Sequence, residues 1–176
     1  MTKDEMKKVV CQAIDEATEK IHETVLRIES EPELGYKETK TAAKVESYMK
    51  ELGLTPQTGL ALTGVKTCVD GGKKGPAVAV LAELDAVGTP DSPKADPLTG
   101  AAHTCGHFLQ MASMLAACTG IVKSDVMKDL AGSAVFFAVP AEEYVEIDYR
   151  KRLVKEGKIH FLGGKSELVY EGHFDD

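Results

Sequence analysis

The sequence contains no long apolar run. None of its stretches approaches the roughly 20 consecutive apolar residues that a helix needs to cross a bilayer. The first six residues, Met-Thr-Lys-Asp-Glu-Met, lack the apolar core of a secretory signal peptide. These absences predict a cytoplasmic protein that has no membrane partner.

Basic residues are also in short supply. The 176 residues include 21 Lys and Arg against 28 Asp and Glu, so the formal net charge is −7 at pH 7. A nucleic-acid partner would need clustered Lys and Arg side chains that contact phosphates and release counterions. The charge balance therefore predicts that the protein does not bind nucleic acid.

Cysteines are few, and their spacing is unlike that of a disulfide framework. There are four, at Cys11, Cys68, Cys105 and Cys118. In a reducing compartment they are thiols, and any special one is a metal ligand or a catalytic group. Cys11, Cys68 and Cys118 occupy apolar positions, so we expect all three in the core.

Internal repeats and low-complexity segments are absent as well. The length corresponds to about one domain that can bury a sizeable core. The 43% hydrophobic and 28% charged residues are ordinary for a soluble globular protein. We therefore treat residues 1–176 as a single domain.

Apolar residues at spacings of three and four predict three helices. These lie at residues 4–29, about 39–52 and about 107–121. Thr2 and Glu5 can form a capping box at the start of the first helix.

Apolar runs predict strands at residues 63–70, 76–84 and 131–139. We expect the second of these to be a buried central strand, because its apolar run is nearly continuous. Further along the chain, residues 145–156 are compatible with a helix, and residues 166–170 with a short helical turn. Because helices and strands alternate, the sequence predicts a three-layer α/β fold.

Residue types that bind metals are concentrated in His103-Thr-Cys-Gly-His107, which opens the third predicted helix. Pro140-Ala-Glu-Glu143 and Asp85 each follow a predicted strand. In open α/β sheets, sites form beyond the carboxyl ends of strands. We therefore expect these three segments to converge at one edge of the sheet.

A divalent metal and a general base could be built from Cys105, His107, Glu142 and Glu143. One carboxylate would bind the metal, and the other would take a proton from the metal-bound water. Each residue alone is weak support, because a Cys in an Ala-rich stretch is more often a small core residue. Adjacent carboxylates are most often simply solvated, so the hypothesis depends on the combination.

The surrounding polar residues leave alternatives open. Asp85 could orient a metal-bound histidine or cap the following loop, and we assign it to the catalytic group. Glu83 could belong to the site or be a carboxylate at a buried edge, and His103 could line the site or be exposed. Three other histidines are expected to be solvated: His22, His160 and His173.

Five short pieces of the sequence match the motifs of one family in the same order and at compatible intervals. They are Glu31-Pro-Glu-Leu-Gly-Tyr-Lys-Glu38, Thr63-Gly-Val65, Ala82-Glu-Leu-Asp-Ala86, His103-Thr-Cys-Gly-His107 and Pro140-Ala-Glu-Glu143. On these pieces, which cover roughly residues 20–145, the chain resembles the zinc-peptidase-like amidohydrolases. That family includes N-acyl-amino-acid amidohydrolases (aminoacylase and hippurate hydrolase type), auxin-conjugate hydrolases and aminobenzoyl-glutamate hydrolases.

The resemblance implies a three-layer α/β/α zinc-peptidase-like (phosphorylase/hydrolase-like) catalytic domain. It implies that Cys105, His107 and Glu143 bind metal and that Glu142 is the general base. The implied reaction is hydrolysis of the amide bond in a small N-acyl amino acid or peptide-like substrate. Two divalent ions are implied, commonly zinc, manganese, cobalt or nickel.

The sequence departs from the family in three ways. Phe108 stands where the family usually has Asp or Asn, and Glu83-Leu-Asp-Ala-Val-Gly88 replaces the family's Asp-Met-Asp-Ala-Leu-Pro. Family members are also about twice as long, with further His ligands and an inserted dimerisation domain. We therefore expect an N-terminal part of such a catalytic domain that has weak or no activity alone. Apolar surface exposed by an incomplete domain would favour homo-oligomers.

Two other hypotheses come from different functional classes. One is a non-catalytic binding or regulatory module on the same fold, with Phe108 as a sign of lost chemistry. The other is a cysteine hydrolase with Cys105 as nucleophile. His107 is poorly placed to act as its base, because it lies only two residues away.

Overall fold

The computed structural model describes residues 1–175, and Asp176 lies outside the described residues. The helices are α1 (Lys3–Glu29), α2 (Thr39–Glu51), α3 (His107–Ser124), α4 (Ile147–Lys155) and α5 (Gly164–Tyr170). A short 3-10 helix at Val126–Asp129 follows α3. The strands are β1 (Gln57–Leu60), β2 (Gly64–Asp70), β3 (Lys73–Glu83), β4 (Val87–Gly88), β5 (Ala101–Ala102) and β6 (Ala131–Val139).

Four of the strands form one mixed sheet in the order β1-β2-β6-β3. β6 is antiparallel to β2 and parallel to β3, with Glu83 of β3 opposite Val139 of β6. The two parallel strands are connected through α3. Their carboxyl ends consequently leave the sheet side by side, which is the arrangement that the predicted site needs.

The two faces of β6 belong to two different cores. Phe136 and Ala138 pack in the larger core with residues of α1, α2 and α3. Val135, Phe137 and Val139 pack in a second core with residues of α4 and α5. Helices therefore cover both faces of the sheet, and the predicted three-layer α/β fold is confirmed.

The long helix α1 forms as its sequence pattern predicts. Thr2 and Glu5 make the capping box: the Glu5 N–H donates to Thr2 Oγ1 at 3.3 Å, and the Thr2 N–H donates to Glu5 Oε2 at 2.7 Å. α1 then packs against α3 at Gly120, where a Cβ would lie 2.9 Å from side-chain atoms of Val10 and Ile14. The absence of a side chain at Gly120 thus lets the two helices approach closely.

The prediction of a buried central strand at residues 76–84 is wrong. β3 is an edge strand of the four-stranded sheet, and only its last two residues are buried. Val78 is 63% exposed, and Leu81 is also exposed. A continuous apolar run does not determine which strands take the interior of the sheet, and those positions belong to β2 and β6.

The cysteine prediction is correct for one residue out of three. Cys118 is buried in the larger core, and burial raises the pKa of its thiol to about 12. Cys11 and Cys68 are exposed, contrary to expectation. Cys11 follows Val10 on the outer side of the apolar stripe of α1, and Cys68 lies on the part of β2 that extends beyond the core.

Within residues 1–175, none of the helices is both long and apolar enough to cross a membrane.

We expect Leu115→Ala to lower the free energy of unfolding by about 2–5 kcal/mol, because it opens a cavity in the larger core. Leu109→Ala is the matched control on the same helix, since Leu109 is 57% exposed whereas Leu115 is fully buried. Its effect should stay within about 0.5 kcal/mol. Urea denaturation of both variants measures the difference, and equal losses would contradict this account of the core.

Candidate metal site

Three segments that are distant in sequence meet where β3 and β6 end. Asp85 lies two residues beyond β3, and Glu142 and Glu143 lie shortly beyond β6. His107 is the first residue of α3. Gly106, which precedes it, has a φ of 92° that turns the loop into the helix. The segments therefore converge at one edge of the sheet.

Cys105, His107 and Glu143 each direct a potential ligand atom toward a common point. One ligand atom from each of the three lies within 4.8 Å of the other two. His107 Nε2 is 3.9 Å from Glu143 Oε1 and 3.7 Å from Glu142 Oε2. His107 is buried, whereas the other three are partly exposed, so the cluster is open on one side. A thiolate, an imidazole and a carboxylate are the ligand types that zinc and related divalent ions take.

Asp85 contacts both His107 and the backbone of Glu143 on the buried side of the cluster. His107 Nδ1 donates to the backbone carbonyl of Asp85 at 2.9 Å and lies 3.3 Å from its carboxylate Oδ1. The other carboxylate oxygen accepts the Glu143 N–H at 2.9 Å. These bonds direct His107 Nε2 toward the cluster, as a carboxylate behind a metal-binding histidine does. The role of Asp85 stays a prediction, but its position matches that role.

The electrostatics of the cluster favour a positive charge. Burial opposes the charged form of His107, but hydrogen bonds to Asp85 and Cys105 outweigh it and raise the pKa of His107 to about 11. A metal ion would displace the proton from Nε2 of His107, and Cys105, His107 and Glu143 together supply the donor types that divalent ions take. The residues present therefore fit a divalent metal.

His103 and Glu83, for which the sequence left two interpretations open, are both buried. His103 is buried, its ring lies 5.8 Å from that of Phe108, and neither of its nitrogens has a hydrogen-bond partner within residues 1–175. Burial and the neighbouring His107 lower the pKa of His103 to about 4. Glu83 is also buried and pairs with Lys165 at 2.6 Å. The other histidines lie away from the cluster: His22 and His160 are exposed, and His173 is partly exposed.

Two buried charged residues beside the site were missed by the reasoning from sequence. Glu38 accepts the N–H of Ala141 at 2.8 Å, and Arg150 donates to the carbonyl oxygens of Ala141 and Glu143. Glu38 closes the first of the five family motifs, so a signal for it existed. Arg150 lies in a charged, helix-compatible stretch in which nothing distinguishes it from solvated neighbours.

No family model matches the chain. Curated relatives do match it. YhaA of Bacillus subtilis, which carries the name of an amidohydrolase, is 32% identical over 142 residues. These are 79% of this chain and 35% of that protein. Thermostable carboxypeptidase 2 of Saccharolobus solfataricus is 32% identical over 74% of this chain and 34% of its own length. N-acetylcysteine deacetylase of Bacillus subtilis is 30% identical over 64% of this chain and 30% of its own length.

Over most of its own length, the chain is thus similar to amidohydrolases and peptidases of the kind that the five motifs indicate. The resemblance drawn from the five motifs is thereby confirmed. The chain spans about a third of the length of the curated relatives that it matches.

Solved structures show a similar fold. The Bacillus subtilis YXEP protein, described as a dinuclear metal binding peptidase from the M20 family, has a TM-score of 0.62 and 24% identity. The match covers 78% of this chain and 39% of that one. A protein from methicillin-resistant Staphylococcus aureus, which carries the name of an aminohydrolase, has a TM-score of 0.67 and 25% identity. The match covers 79% of this chain and 37% of that one. The described residues thus correspond to part of the amidohydrolase fold.

The pKa of Glu38 makes the stability of the protein depend on pH. Burial raises the pKa of Glu38 to about 7 from an ordinary 4.5, and its hydrogen bonds from Thr63 and Ala141 offset this only in part. The folded state therefore keeps this proton at pH values where the unfolded chain has already released it. The resulting stabilisation is complete below pH 4.5 and is lost as the pH rises to about 7.

We expect the free energy of unfolding of the wild type, relative to that of Glu38→Gln, to fall by about 3 kcal/mol between pH 4 and pH 8. The glutamine keeps the shape of the protonated side chain and cannot ionise. Urea denaturation of both proteins across this range measures the difference. A difference that does not change with pH would contradict the raised pKa.

Proposed function

We propose that the chain carries the metal-binding part of an amidohydrolase that hydrolyses the amide bond of small N-acyl amino acids or related conjugates. The observation that carries the proposal is the convergence of Cys105, His107 and Glu143 within 4.8 Å, beside the carboxylate of Glu142. The names of the relatives support the substrate class. They include N-acetylcysteine deacetylase and an IAA-amino acid hydrolase of Arabidopsis thaliana.

The proposed cofactor is a pair of divalent ions drawn from zinc, manganese, cobalt and nickel. Cys105, His107 and Glu143 would bind one of them, because they supply the ligand types that such ions prefer. When bound, a divalent ion lowers the pKa of its water to about 7 and polarises the amide carbonyl of the substrate. The dinuclear site of the YXEP protein supports the number of ions.

Glu142 is the proposed general base. Its carboxylate lies 3.7 Å from His107 Nε2, next to the three ligand atoms, on the side of the cluster that is open to solvent. From there it can take a proton from the attacking water and return it to the leaving amine nitrogen. Lys165 Nζ is 4.0 Å from the opposite oxygen of Glu142 and helps to hold the carboxylate in place.

We also propose a cellular location and a set of partners for the protein. A reducing compartment keeps the proposed ligand Cys105 as a thiol rather than a disulfide, which favours the cytoplasm. The net charge of −7 disfavours nucleic acid as a partner. The exposed apolar residues of the edge strand β3, Val78 and Leu81, favour association into homo-oligomers.

Metal content tests the proposal directly. We expect the purified protein, dialysed against zinc or manganese, to retain at least one ion per chain by elemental analysis. Cys105→Ser and Glu143→Ala should lose that ion, because each removes a ligand. Cys68→Ser and Glu156→Ala are matched controls at exposed positions and should keep it. Equal metal content in the wild type and in both ligand variants would contradict the site.

Glu142→Gln separates binding of the metal from catalysis. We expect this variant to retain the ion but to lower the weak hydrolysis of N-acetyl amino acids by the wild type at least about 100-fold, because it cannot accept a proton. Release of the free amino acid measures the rate. Undiminished hydrolysis by Glu142→Gln would exclude Glu142 as the base.

A further inference from the structure

Two buried charged side chains bind the backbone of the 140–143 segment without supplying a ligand atom to the proposed metal site. They are Glu38, just before α2, and Arg150 in α4, and both are fully buried. We call this pair the Glu38–Arg150 clamp. Burying an ionisable side chain is costly unless hydrogen bonds compensate for it, so each of the two must have partners.

The carboxylate of Glu38 connects three parts of the fold. One oxygen accepts the N–H of Ala141 at 2.8 Å, and the other accepts the hydroxyl of Thr63, just before β2, at 2.7 Å. An apolar side chain of similar size would fill this space without the cost of desolvating a carboxylate. What the carboxylate adds is a fixed acceptor for the backbone of Ala141.

Arg150 binds the same segment through its carbonyl groups. Its guanidinium donates to the carbonyl oxygens of Ala141 at 3.2 Å, Leu162 at 2.6 Å, and Glu143. Among the described residues, no carboxylate forms an ion pair with it, so its charge is stabilised by these backbone dipoles. Gly35 leaves room for the guanidinium, since a Cβ there would clash with Arg150 and Ala141.

The residue between the two charges has an unfavourable backbone conformation. Ala141 has a φ of 52°, in the left-handed region that costs a non-glycine residue about 1–2 kcal/mol. Such a conformation persists only when the surroundings hold it. Here the N–H of Ala141 is bound by Glu38, and its carbonyl is bound by Arg150 and by the N–H of Gly164 at 3.1 Å.

We propose that Glu38 and Arg150 are positioning residues that keep Glu142 and Glu143 directed at His107 by fixing the backbone of Ala141. This inference rests on the proposed metal site. Without the clamp, Ala141 relaxes toward an extended conformation. The two carboxylates that follow it then rotate away from Cys105 and His107.

Cobalt titration of the 176-residue protein tests this role, because the absorption of a cobalt–thiolate bond reports binding at Cys105 without any measurement of activity. We expect Glu38→Leu to weaken cobalt binding by about 10- to 100-fold, the effect typical of residues that hold metal ligands in place. Glu38→Gln should restore binding to within about threefold of the wild type, because its amide oxygen can still accept the N–H of Ala141. Thr63→Val is the matched control: it removes the other bond of Glu38 and should bind cobalt like the wild type.

Amide hydrogen exchange, measured by NMR on the metal-free protein, reports the clamp independently of metal. The Ala141 amide should exchange at least about tenfold faster in Glu38→Leu than in the wild type, Glu38→Gln or Thr63→Val. The amide of Leu115 in the larger core should be unchanged, which shows that the variant is folded. If Glu38→Leu does not fold, Arg150→Met provides the second test, with the same losses expected.

The outcomes separate the two proposals. A wild type that binds no cobalt contradicts the proposed metal site, and the clamp is then judged on the exchange of Ala141 alone. A folded Glu38→Leu that binds cobalt as tightly as the wild type overturns the positioning role, whatever the exchange rate of Ala141. Unchanged exchange of Ala141 in that variant overturns the clamp itself.

Discussion

The parallel pairing of β3 with β6 is the interaction on which the site depends. Because Glu83 lies opposite Val139, the two strands end at the same level of the sheet. Asp85 and the 140–143 segment therefore emerge as neighbours. The helix that connects the two strands must start at this same edge, which places His107 above both. An antiparallel pair would have sent these side chains to opposite ends of the sheet.

Beneath the site, three buried polar side chains bind the backbone in addition to the apolar packing of the second core. Asp85, Glu38 and Arg150 are fully buried, and each binds the backbone of the 140–143 segment. In a medium of low polarity such bonds are strong, and an unmade one is costly. The segment consequently has one well-defined conformation. Its geometry is set by hydrogen bonds from these three side chains together with the packing of Ala141 in the second core.

The sequence predicts some of these features well because their causes are local. The stripe of α1, its capping box and the strand ends that carry Asp85 and Glu143 follow from spacing alone. The edge position of β3 does not, since an apolar run has the same pattern wherever its strand lies in the sheet. The exposure of Cys11 and Cys68 depends on where the core stops. Glu38 could be noticed within a motif, but its partner Ala141 is 103 residues away.

These long separations in sequence have a consequence for how the molecule folds. The contact between Asp85 and the Glu143 amide spans 58 residues, and the contact between Glu38 and the Ala141 amide spans 103. Closing such large loops costs entropy before any contact compensates for it, which slows folding. Cys105 and His107 are neighbours from the moment of synthesis, whereas Glu143 joins them only after β6 has been made and paired. The complete ligand set is thus a late product of folding, so metal affinity would report the acquisition of native topology and not merely of helical structure.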